Sequence, residues 1–155
     1  MTRIGAWIVA MLLGSAAAQA GNAVCTVAVS GVAFGSFNPL SGQSAATNGT
    51  IAITCSGAAS DTASYTIAIT SGMGSFSARK LVAGADTLTY NLYKDSGCTQ
   101  VWGDGTAGTS AVSDSVTLTA TSVTTNYVVY SRIAAAQRAA KVNTYADNLL
   151  VTITY

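Results

Sequence analysis

The chain of 155 residues carries a formal net charge of +1, with only 8% of its side chains charged, so it offers no excess charge to nucleic acid or to an anionic membrane surface. It contains no histidine, and all six acidic side chains are aspartates, Asp61, Asp86, Asp95, Asp104, Asp114 and Asp147. The usual base of a hydrolytic triad and the commonest metal ligand are therefore missing.

In chain order, the first feature is a secretory leader over residues 1–20. Arg3 supplies its positive end, residues 4–18 its apolar run, and Ala18-Gln19-Ala20 a small-residue cleavage site. The apolar run is too short to span a bilayer as a helix, so no membrane insertion is expected after cleavage. Residues 21–155 then fit one domain.

Within that domain, segments with an apolar period of two recur between clusters of turn-forming residues. They cover residues 25–29, 49–55, 65–69, 88–92, 116–118, 127–133 and 149–155, enough for an immunoglobulin-like β-sandwich. Parity turns Cys25, Val27 and Val29 inward, and Ile51, Ile53 and Cys55 likewise. Turns are expected at residues 37–42, 71–74, 94–97 and 102–105. Alanine-rich residues 134–142 carry helix propensity between two strands, so they support a single short helix or an irregular crossover.

Three cysteines allow three single bridges. Shared inward parity favours Cys25 with Cys55, which neighbouring antiparallel strands or facing sheets could bring together in an oxidising compartment. Cys98 is left over in a turn, as a free thiol, an intermolecular link or a tolerated small residue. No cysteine pair or histidine points to a metal or cofactor, and none is expected. All six aspartates read as turn residues. Asp104, in Trp102-Gly103-Asp104-Gly105, is the strongest carboxylate for chemistry, yet a tight turn beside a packed tryptophan explains it. The chain is expected not to be an enzyme.

The last segment alternates Leu149, Val151, Ile153 and Tyr155 with Leu150, Thr152 and Thr154. Such a strand is either a closing strand between two others or an edge completed by another chain. The ordered set of Cys25, Phe34-Gly35-Ser36-Phe37, residues 49–55, Leu88-Thr89-Tyr90-Asn91-Leu92-Tyr93, Trp102-Gly103-Asp104-Gly105, residues 127–133 and Tyr145-Ala146-Asp147 before a tyrosine-ended strand resembles the spore coat protein U domain, whose members include subunits of archaic chaperone-usher pili. The resemblance covers nearly all of residues 21–155.

It implies an incomplete sandwich lacking one strand, which a periplasmic chaperone lends and the N-terminal extension of the next subunit later replaces. It further implies a Cys25–Cys55 disulfide, and an edge lined by Leu149, Val151, Ile153 and Tyr155 for the chaperone. The partners it implies are that chaperone, an outer-membrane usher and other pilus subunits. The implied location is the periplasm in transit and then a cell-surface fibre. Cleavage after Ala20 leaves only residues 21–24 ahead of Cys25, about 13 Å of extended chain, shorter than a donor segment needs. This points to a terminal or minor subunit that receives a strand without donating one. The other expectation is a self-contained binding module that recognises sugar through Trp102, Tyr93 or Tyr130.

Overall fold

The computed structural model describes the backbone of Arg3–Ile4 and Trp7–Val9 and the whole of residues 23–155; the rest of the expected leader and its cleavage site lie outside the described residues. The strands are β1 (Arg3–Ile4), β2 (Trp7–Val9), β3 (Val24–Ser30), β4 (Gly35–Ser36), β5 (Ala45–Ser56), β6 (Thr62–Ile69), β7 (Arg79–Ala83), β8 (Asp86–Tyr93), β9 (Val112–Thr117), β10 (Ser122–Ile133) and β11 (Asn148–Thr154). One 3-10 turn, Pro39–Ser41, follows β4, with the Asn38 side chain accepting from the Leu40 amide.

Two sheets form a sandwich. One has the order β3-β5-β10-β8-β7, the other β2-β11-β6-β9, and β1 pairs separately with β4. Every pairing is antiparallel except that of β2 with β11. The frame is the pair β5 and β10, twelve residues each, in register from Ser122 opposite Ser56 to Ile133 opposite Ala45. Alternation does the sorting: Ile51, Ile53, Val129 and Ile133 from the first sheet share a core with Ile67, Ile69, Val151 and Ile153 from the second. Cys25 stands directly opposite Cys55 across β3 and β5, and the two are disulfide-bonded. Of the two arrangements parity left open, neighbouring strands is the one found.

The expected strands are present, several of them longer than their apolar cores, and β1, β2, β4 and β7 are additional to them. β7, Arg79-Lys80-Leu81-Val82-Ala83, pairs with β8 and turns Arg79 inward with Leu81 and Ala83. Two adjacent cations hid its alternation. Residues 134–142 are an irregular crossover rather than a helix. Gln137 explains why, because its side chain accepts from the Thr89 amide at 2.5 Å and donates to the Thr89 carbonyl at 2.8 Å. That clamp to β8, with Ala136 at φ 59°, interrupts the repeating backbone bonds a helix needs.

Candidate strand-accepting edge

β11 meets β6 through the pairs Val151 with Ile69, Thr152 with Ala68, Ile153 with Ile67 and Thr154 with Thr66. One turn of the ladder earlier, the Leu150 carbonyl accepts from the Thr70 amide at 3.0 Å and the Leu150 amide donates to Thr70 Oγ1 at 3.0 Å. Leu150 therefore spends its backbone groups toward β6, and by the alternation of antiparallel pairing Thr152 and Thr154 do the same. Leu149, Val151 and Ile153 direct theirs to the opposite edge. Along that edge, among the described residues, β2 pairs only with Asn148, Leu149 and Leu150.

The residues expected to line this edge divide. The side chains of Leu149, Val151 and Ile153 are buried in the sandwich core, so their exposed contribution to an edge is backbone. Tyr155 lies beyond the end of β11 and is 44% exposed.

The start of β11 is held by a buried polar cluster. Asp147 is buried, and its carboxylate accepts from the Tyr90 hydroxyl at 2.7 Å, the Met73 amide at 3.0 Å and the Asn148 amide at 2.8 Å. Gly72, at φ 63°, passes so close that an added Cβ would lie 2.3 Å from Asp147 Oδ2, so only glycine fits. Burial, followed by the adjacent Asp147 charge, pushes the Tyr90 hydroxyl above its ordinary value.

Beside this cluster Arg79 is fully buried. Its guanidinium donates to the Thr70 carbonyl at 2.9 and 3.1 Å, the Trp102 carbonyl at 2.7 Å and Asn91 Oδ1 at 2.5 Å, and stacks 5.4 Å from the Phe76 ring centroid. Burial lowers its pKa, but a guanidinium titrates so high that it stays charged at any physiological pH. Arg79 and Leu150 both bond Thr70, so the arginine anchors the residue just beyond β6 that meets the start of β11.

The family model of the Spore Coat Protein U domain matches residues 12–152. The chain belongs to the spore coat protein U family. That family is associated with structural subunits of chaperone-usher pili and coats. No curated protein matches the chain.

In this spore coat U domain the aspartates are not all turn residues. Asp86 opens β8, Asp114 lies inside β9 and Asp147 is buried. Asp104 does shape a turn, accepting from the Thr106 amide at 2.9 Å and its hydroxyl at 2.7 Å, bonds that hold its carboxyl below the usual range. Trp102 is 1% exposed, with Nε1 donating to the Ile67 carbonyl at 3.1 Å, so it is a core residue and no sugar platform. Tyr93 and Tyr130 are half-buried neighbours across β8 and β10. Cys98 is free and partly buried in the turn that Asp95 organises. One motif, Tyr145-Ala146-Asp147 before β11, signals the Asp147 cluster, but no pattern signals Arg79.

Proposed function

We propose that this domain is a structural subunit of a secreted chaperone-usher surface fibre, and that the free edge of β11 accepts a strand, first from a periplasmic chaperone and then from a neighbouring subunit. The observation that carries this reading is the three-residue pairing of β2 with β11. Trp7–Val9 belong to the leader that cleavage after Ala20 removes, so the mature sheet keeps β11-β6-β9 and loses the neighbour of β11. An edge strand backed by buried Leu149, Val151 and Ile153, with outward backbone groups unpaired, is an aggregation hazard unless another strand covers it. Strand addition satisfies those groups directly.

With residues 21–24 alone ahead of Cys25, the subunit receives a strand and does not extend the shaft, which suits a terminal or minor place in the fibre. The outer-membrane usher is the assembly partner in this reading, and the cell surface the destination. Periplasmic expression with and without the matching chaperone tests it. Soluble protein is expected only with the chaperone, in a stoichiometric complex; full solubility of the chain alone would count against the reading.

A further inference from the structure

A second arginine contrasts with Arg79. Arg132, on β10, lies with its guanidinium 5.6 Å from the Tyr93 ring centroid, and among the described residues the one ion pair is Lys141 with Asp86. Arg132 thus has an aromatic support and no carboxylate partner. It lines a shallow cleft of about 380 Å³ with Tyr93, Thr89, Asn91, Ser44 and Ser77, and no acidic side chain lines that cleft. Lys80 Nζ lies 2.6 Å from Thr89 Oγ1, a hydroxyl of the cleft lining.

We propose that this cleft binds the carboxylate of an acidic saccharide. The Tyr93 ring holds the guanidinium plane by cation–π contact, leaving its forked N–H edge for a carboxylate. The hydroxyls of Ser44, Ser77 and Thr89 supply the neutral hydrogen-bonding groups that sugar hydroxyls require. The volume suits one or two sugar rings. The wall is held in place, because the Gln137 clamp and the Ala134 amide, 3.1 Å from the Thr89 carbonyl, pin the crossover to β8. Being on the sheet that does not contain β11, the cleft stays open whatever strand β11 accepts, and the proposal does not depend on that acceptance.

The test is titration of the secreted protein, purified with any strand partner it retains, against polygalacturonate, neutral dextran and inorganic phosphate at low salt. Polygalacturonate should bind, dextran should not, and phosphate should fail to displace the polymer. Arg132→Gln should weaken binding by about tenfold or more, the worth of one charge-assisted contact, while Arg138→Gln, an exposed cation outside this cleft lining, changes it less than about twofold. If Arg132→Gln also lowers the unfolding midpoint, Arg132→Lys replaces it, retaining the charge but losing the fork, and should bind several-fold more weakly than the unmodified protein. Equal losses from the Arg132 and Arg138 changes would overturn the proposal in favour of diffuse charge, displacement by phosphate would show a simple anion site, and equal dextran binding would remove the role of the carboxylate.

Discussion

Arg79 is the residue on which the interior most depends. Its guanidinium answers two backbone carbonyls and the Asn91 amide oxygen inside the sandwich, so truncation leaves buried acceptors without donors. Arg79→Ala should cost on the order of 3 kcal/mol or more in denaturant unfolding, whereas Arg138→Ala, at an exposed position, should change stability little. Tyr90 makes a pH prediction. Its hydroxyl, like that of Tyr127, titrates above its ordinary value of 10.0 in the fold. The stabilisation is therefore complete below about pH 10 and is lost as pH rises beyond it, because the unfolded tyrosines ionise first. Tyr90→Phe should flatten that alkaline decline in pH-dependent unfolding curves, while costing about 1–3 kcal/mol at neutral pH through the donor Asp147 loses. Neither side chain announced its role in the sequence. Arg79 sits beside Lys80 where a solvated pair is the natural reading, and only strand parity with Leu81 and Ala83 turns it inward.

Strands, unlike these clusters, were largely legible, because a period of two survives wherever one face is buried: Ile51-Ile53-Cys55 and Leu149-Val151-Ile153 both face the core as their alternation requires. Parity also paired the correct cysteines. Replacing both Cys25 and Cys55 by serine should cost roughly 3–4 kcal/mol on the loop-entropy account, measurable by chemical unfolding. Intrinsic propensity misled where tertiary bonds took over. The alanines of residues 134–142 favour helix, but Gln137 satisfies both backbone groups of Thr89 and holds the segment flat against β8. Gln137→Ala should destabilise by about 1–3 kcal/mol, read by thermal unfolding. The edge itself was only half legible: alternation marked β11, but which backbone groups point outward follows from the Leu150 bonds to Thr70, which no sequence pattern records.

For the whole molecule, the chain belongs to a family associated with structural pilus and coat subunits, and the two sheets divide the work proposed for it. In that proposal the sheet containing β11 joins one subunit to another, while the cleft of Tyr93 and Arg132 lies on the sheet containing β8 and β10. In the proposed subunit, β11 lacks a neighbour once the leader is gone. Residue-resolved amide exchange of the mature chain, released from its chaperone and measured with and without a bound donor strand, tests this most directly. Without the donor the Val151 and Ile153 amides should exchange fast while those of Thr152 and Thr154, paired with β6, remain slow, and the donor strand should protect all four. Slow exchange at Val151 and Ile153 in the isolated mature chain would contradict it, since that edge would already be paired within one subunit.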